Sequence, residues 1–172
     1  TQEGWIKMTA LITGASSGLG RDMAKLLAAR GYDLILVARR QDRLEELRRE
    51  LPSNVEILCL DLAKKRNCYI LYEKVKHEPI QILINNAGFG LCGDFAQTDL
   101  ETELSMIQTN IRAVHILTKL FLRDFLQRDK GYILNVASSA AFQPGPLMAC
   151  YYASKAYVLR LTQAIREELR RK

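Results

Sequence analysis

The chain alternates between short apolar runs and longer stretches of helical periodicity. "MTALIT" (8–13), "YDLILVA" (32–38), "NVEILCL" (54–60), "IQILINN" (80–86) and "GYILNVA" (131–137) are short, apolar almost throughout, and predict five strands. Between the first two, "GLGRDMAKLLAARG" (18–31) spaces Met23, Leu26 and Leu27 at helical intervals ahead of a terminating Gly31. Positions 41–51 and 64–77 predict two more helices. A long pattern from Asp99 to Gln127 carries Leu100, Leu104, Ile107, Ile111, Val114 and Phe121, and a last helix is predicted from Cys150 to the end.

Apolar strands separated by helices indicate a parallel sheet covered on both faces. The predicted fold is α/β: a doubly wound, Rossmann-like parallel sheet of five strands, forming one domain over residues 1–172 without repeats or linkers. In such sheets ligands bind beyond the carboxyl ends of the strands. That rule selects segments 13–20, 38–40, 61–62, 85–93 and 137–155, which are also the most chemically marked.

Composition narrows the picture. A chain of 172 residues, 48% hydrophobic and 26% charged, has the makings of one soluble domain with a proper core. No apolar run approaches membrane-spanning length, so no membrane partner is expected. The start "TQEGWIK" carries no signal-peptide pattern, which makes the cytoplasm the expected location. Cys59, Cys68, Cys92 and Cys150 form no CxxC and are expected to be buried free thiols; with His77 and His115 isolated, no metal site is expected.

The net charge of +6 raises nucleic acid as a partner, but the cations are mixed with acids. In "RRQDRLEELRRE" (39–50), for example, Glu45 and Arg49 stand at helical pairing distance. No basic run is interleaved with aromatics, so no nucleic-acid partner is expected. Much of the excess lies in the last residues, Arg166 to Lys172, where cations complement a helix C-terminus.

Candidate chemistry begins at "TGASSGLG" (13–20), which joins the first strand to the first helix. Gly14 permits a tight turn, Gly18 a close ligand approach, and Gly20 close helix packing. The helix start offers amide hydrogens and a positive dipole end to a pyrophosphate, with Ser16 and Ser17 as added donors. A glycine turn alone is often only structural; its place after the first strand favours dinucleotide binding. The second strand ends "VARR" (37–40), without the acid that grips the ribose of NAD. Arg39 and Arg40 can hold a 2′-phosphate instead, which favours NADP(H), with NAD(H) as second choice. The plainer reading of these arginines is as surface charges at a helix start.

"YYASKAY" (151–157) sets Tyr151 and Lys155 four positions apart, and Tyr72 and Lys76 share that spacing. Spacing alone cannot separate a proton-transfer pair from two neighbours on a helix face. Tyr151, however, follows the loop at the end of the fifth strand, whereas Tyr72 belongs to a mid-chain helix with no marked loop feeding it.

The ensemble resembles the short-chain dehydrogenase/reductase family, in its classical subgroup. The resemblance runs from the first strand to the last residue, on "TGASSGLG", "DL" (61–62), "NNAG" (85–88), Asn110 in "QTNIRA", Ser138 in "NVASSAA", and Tyr151 with Lys155. Ser138 stands thirteen positions before Tyr151, the family's register; Ser139 is one position out and is given a supporting role at most. The resemblance implies that Asn110, Ser138, Tyr151 and Lys155 are catalytic. It implies cofactor contacts through Gly14, Ser16, Ser17, Gly18, Leu19, Gly20, Arg39, Arg40, Asp61, Leu62, Asn86, Gly88, Tyr151 and Lys155, with Asp61 and Leu62 by the adenine and Asn85 structural.

The implied chemistry has a physical basis. A free tyrosine titrates near ~10, and a nearby ammonium favours its phenolate. Tyr151 would then exchange a proton with a carbonyl or alcohol oxygen as hydride moves to or from the nicotinamide. Ser138 would hydrogen-bond the developing alkoxide, Lys155 the nicotinamide ribose, and Asn110 a water that relays protons to Lys155. Singly, Ser138 as a strand-end cap and Asn110 as a satisfied buried amide are ordinary; jointly, at the family's register, the catalytic reading is the better one.

Relatives continue past the tyrosine–lysine helix into two more strands and a substrate-covering segment, so a truncated chain with an exposed fifth strand is expected. Phe89, Phe142, Leu147 and Met148 remain as candidate pocket wall and fit an apolar carbonyl compound. In relatives the helices at 99–127 and 150–172 form a subunit interface, which makes a homo-oligomer the expected assembly. Two other functions compete: a cofactor-binding regulator or scaffold without catalysis, and an epimerase or dehydratase of the extended relatives.

Overall fold

The computed structural model describes residues 8–170. The N-terminal segment read above for a signal pattern, and the last two cations of the basic end, lie outside the described residues. The element order is β1 (Thr9–Thr13), α1 (Gly18–Ala29), β2 (Asp33–Ala38), α2 (Gln41–Glu50), β3 (Val55–Cys59), α3 (Lys65–Val75), β4 (Ile80–Asn85), α4 (Leu100–Ile107), a π-helical turn (Gln108–Ala113), α5 (Val114–Gln127), β5 (Tyr132–Asn135), a 3-10 turn (Ser139–Phe142) and α6 (Ala149–Arg170).

The strands form one sheet in the order β3-β2-β1-β4-β5, every pair parallel. β1 is central, and the crossover from β3 over β2 and β1 to β4 reverses the direction of winding. Alternate strand residues serve opposite faces. Ala10, Ile12, Leu34 and Leu36 pack with Ala24, Ala28, Leu44 and Leu47 of α1 and α2. Leu11, Ile35, Val37 and Leu83 pack with Leu71 and Val75 of α3 and with Leu117, Phe121 and Phe125 of α5. The doubly wound arrangement predicted from the apolar runs is the one present.

The predicted elements match closely, with three instructive differences. The long helical pattern at 99–127 is interrupted at Gln108–Ala113, where π-helical bonding takes over, a feature frequent at functional sites. β5 stops at Asn135 rather than 137; Val136 donates to the Asn85 carbonyl, but its own carbonyl is taken by Lys155. On α2, Glu45 pairs with Arg48 at 3.9 Å rather than with Arg49.

The cysteine expectation needs correcting. All four thiols are free, but only Cys68 is buried, and Cys59 and Cys92 are exposed. Cys59 is outward because β3 is a sheet edge, not an inner strand. The opposite edge, β5, leaves Tyr132 and Leu134 exposed. Among the described residues no helix is long and apolar enough to cross a membrane.

Candidate active site

The carboxyl ends of the parallel strands open into one cavity of about 610 Å³. Its wall takes Gly14, Ser16, Ser17, Gly18 and Leu19 from the β1–α1 loop, and Arg39 and Arg40 from the end of β2. Asp61 and Leu62 come from the β3 end, Asn86 and Gly88 from the β4 end, and Tyr151 and Lys155 from α6. Of the residues predicted from sequence, Gly20, Asn110 and Ser138 are not on the wall. Gly20 and Asn110 touch wall residues from behind, and Ser138 follows Ala137 of the wall.

Gly14 and Gly18 both hold positive φ, at 67° and 53°, a conformation that suits glycine. A side chain at Gly14 would strike the Ala87 backbone at 2.7 Å, whereas space beside Gly18 is open for 4 Å. A side chain at Gly20 would reach the Gly14 carbonyl at 2.3 Å, so this glycine serves packing of helix against loop. Ser17, the N-cap of α1, makes no side-chain capping bond, and no acid occupies the first turn. The helix start is therefore open to an anion.

Arg40 extends over this loop. Its Nη2 donates to Ser16 Oγ at 3.3 Å and to Ser17 Oγ at 3.2 Å. One guanidinium and two serine hydroxyls thus converge at this corner of the cavity, and Arg39 lines the same wall. The β4 end is fixed from beneath by Thr13, whose Oγ1 accepts from the backbone N–H groups of Asn86 and Ala87, both at 3.0 Å. Asn86 Nδ2 in turn donates to the carbonyls of Thr13 and Gly14. Asn85 points away from the cavity and donates to Thr118 Oγ1 and Asn135 Oδ1, a structural role as expected.

At the other end, Lys155 is buried, with Nζ 3.0 Å from the Val136 carbonyl and 5.8 Å from the Tyr151 ring centroid. Burial pushes the Lys155 ammonium below the ordinary lysine range. Asn110, in the π-helical turn, clamps the cavity wall: its Nδ2 donates to the Phe89 carbonyl and to Ser154 Oγ, and its Oδ1 accepts from Phe89 N–H. Gly88 faces that amide so closely that a side chain would meet Asn110 Oδ1 at 2.9 Å. Ser138 accepts from Ala140 N–H and so caps the 3-10 turn, leaving its own hydroxyl proton free to donate.

Residues that the motifs did not single out complete the site. Gly90, Thr109, Val136 and Ala137 line the cavity. Thr13 and Ser154 hold it from behind. Thr13, Thr109, Val136 and Ala137 stand inside the quoted motifs, but the motifs assign them no role. Phe89 and Met148, expected as pocket wall, are on it; Phe142 and Leu147 are exposed. The loops meet at Gly93 N–H, which donates to the Leu147 carbonyl at 2.8 Å, with Leu147 in the left-handed region at φ 64°.

The family model described as short chain dehydrogenase matches residues 8–172. The chain belongs to the short-chain dehydrogenase family. It is 36% identical over 170 residues to a very-long-chain 3-oxoacyl-CoA reductase of Phaeosphaeria nodorum, covering 93% of this chain and 50% of that protein. It is 36% identical to human 17-beta-hydroxysteroid dehydrogenase type 3, covering 95% of this chain and 54% of that one. The chain thus spans about half the length of these two relatives. Among solved structures, a short-chain dehydrogenase from Sphingobium yanoikuyae in complex with NADPH superposes with a TM-score of 0.87 at 39% identity, over 94% of this chain and 65% of that one. A metagenomic short-chain oxidoreductase in complex with NADP gives a TM-score of 0.89 at 29% identity, over 95% and 76%.

Proposed function

We propose that the protein carrying this chain is an NADP(H)-dependent oxidoreductase that moves hydride between nicotinamide and a carbonyl or alcohol carbon. The observation that carries this reading is that Tyr151 and Lys155 share one cavity with the glycine loop and the arginine pair. The lining of the cavity suits a dinucleotide in its chemistry. Gly18 leaves open space at a helix start, where a pyrophosphate is favoured. Arg39 and Arg40, with Ser16 and Ser17, supply cations and donors for a 2′-phosphate at the other end of the loop. Asp61 and Leu62 would flank the adenine.

Bound NADPH would supply the hydride to the carbonyl carbon. As it arrives, Tyr151 gives its hydroxyl proton to the carbonyl oxygen, and the phenolate left behind is stabilised by the Lys155 ammonium. Ser138 donates a hydrogen bond to the same oxygen as negative charge builds there. Asn110 fixes Phe89 and Gly88 beside these groups, and through the same wall it would place a water near Lys155. In the reverse direction the phenolate takes the alcohol proton.

Phe89 and Met148 on the wall favour an apolar carbonyl compound, in keeping with the oxoacyl and steroid names of the two relatives above. The same proposal includes a homo-oligomer through α4–α5 and α6, on which Leu104, Ile107 and Tyr157 are exposed. A light-scattering mass equal to one chain for the whole protein would exclude it.

The test is a titration with NADPH and with NADH, followed by cofactor fluorescence. NADPH is expected to bind at least about tenfold more tightly, and Arg39→Asp to remove that preference by weakening NADPH alone. A wild-type preference for NADH would overturn the arginine argument. Binding of neither would overturn the reading of the glycine loop.

A further inference from the structure

Two ends of the cavity are held by one short stretch of helix. The π-helical turn Gln108–Ala113 presents Asn110 to Phe89 and Ser154, beside the tyrosine and lysine. Arg112 follows two positions later, and residues two apart on a helix, π-helical or α-helical, face roughly opposite ways. Arg112 therefore reaches in the other direction, where its Nη2 donates to the Ala63 carbonyl at 2.5 Å.

Ala63 belongs to the tight turn after β3 that brings Asp61 and Leu62 to the cavity wall. The other bonds of this turn are local. Asp61 Oδ1 accepts from Ala63 N–H, the Asp61 carbonyl accepts from Lys64 N–H and Asn67 Nδ2, and the Leu62 carbonyl accepts from the Cys68 thiol. These bonds fix the shape of the turn, while Leu60 N–H, donating to the Ala38 carbonyl, and Leu62, buried in the core, anchor it to β2 and to the sheet face. Arg112, 49 positions away in sequence, adds a side-chain tie from the turn itself to the helix that carries Asn110.

The arginine is not an obvious packing choice. Its Nε is buried and has no hydrogen-bond partner. A buried unpaired N–H carries a desolvation penalty that an apolar side chain in the same space would avoid. The bond to Ala63 gives a reason for keeping it.

We propose that Arg112 is a positioning residue that sets the Asp61–Ala63 turn against the adenine end of the cofactor and ties that turn to the helix carrying Asn110. The inference rests on the dinucleotide reading above and adds to it a residue that touches neither cofactor nor substrate. Its signature is selective: loss of Arg112 weakens ligands that fill the adenine end and spares those that fill only the nicotinamide end.

Three probes separate the possibilities: NADPH, adenosine 2′,5′-bisphosphate for the adenine end, and reduced nicotinamide mononucleotide for the other. Arg112→Met is expected to bind the first two about tenfold more weakly, with the mononucleotide unchanged, and Arg112→Lys to recover most of the loss. If the methionine variant does not fold, Arg112→Gln, too short to span the gap, is compared with Arg112→Lys, and the same selective loss is expected. Equal binding of both fragments by wild type and variant overturns the proposal, whatever happens to the melting temperature; so does an equal loss of both. A wild-type protein that binds none of the three overturns instead the dinucleotide reading on which it rests.

Discussion

Tyr72 with Lys76 and Tyr151 with Lys155 have the same four-residue spacing, yet the structure gives them opposite surroundings. The Tyr72 hydroxyl donates to both carboxylate oxygens of Asp124 at 2.9 Å, and its ring meets Phe121 edge-on at 5.5 Å. Lys76 pairs with Glu73 at 2.7 Å, so its cation is already matched. Burial, and then the bond to Asp124, push the Tyr72 phenol above its ordinary value. Lys155, by contrast, makes its contact with a backbone carbonyl, and its ammonium stands near Tyr151 without a carboxylate to neutralise it among the described residues. One pair holds its proton firmly against a carboxylate; the other is the pair proposed above to move one. Spacing brings two groups onto one face, and the charge supplied by other elements decides what they do there.

The comparison is most sharply tested by removing each hydroxyl. Tyr151→Phe is expected to lower kcat for carbonyl reduction by about 10²–10⁴-fold while NADPH binding changes little. Tyr72→Phe is expected to leave both untouched. Equal activity in the Tyr151 variant would break the contrast and favour a cofactor-binding protein without catalysis.

The lysines come next. Folding lowers the proton affinity of Lys155, so over the window just below the ordinary lysine value the folded chain holds fewer protons than the unfolded one. Stability contributed through this group therefore rises with pH across that window, and below it a constant penalty remains. Lys155→Met is expected to lose activity, to lose that alkaline rise, and to be no less stable than wild type at neutral pH in urea melts. A large loss of stability at neutral pH would mean that the bond to Val136 outweighs the burial penalty.

Smaller effects attend the other pair. Tyr72→Phe should cost about 1 kcal/mol, read as a shift in urea midpoint, through loss of the bond to Asp124. Because the folded phenol titrates above the unfolded one, its contribution is whole below the ordinary tyrosine value and disappears as pH climbs through the raised one. The phenylalanine variant should lack that alkaline loss. Lys76→Met removes only an ion pair with an exposed glutamate, worth about 0–1 kcal/mol, and is expected to fall at the low end.

Much of the architecture was legible because its signals are local. Five apolar runs specified five strands, and glycine and arginine at the strand ends marked the loops that line the cavity. The corrections came where neighbours decide. Cys59 looked like a core thiol until β3 proved to be a sheet edge, and Glu45 chose Arg48 over Arg49 by side-chain geometry. The π-helical turn left no trace in the apolar pattern, because widening a helix by one residue shifts the faces only after that point. Arg112, in turn, gains its meaning from a carbonyl 49 residues away.

The sequence by itself determined the family, the five strands and the glycine loop between the first strand and the first helix, since each depends on residues close together in the chain. Only the tertiary structure decided which tyrosine meets a carboxylate and which meets an unmatched ammonium. It also decided that Asn110 clamps the wall at Phe89, and that the same helical turn sends Arg112 to the Ala63 carbonyl. Those facts depend on side chains from different elements converging, and on the desolvation and charge that convergence creates.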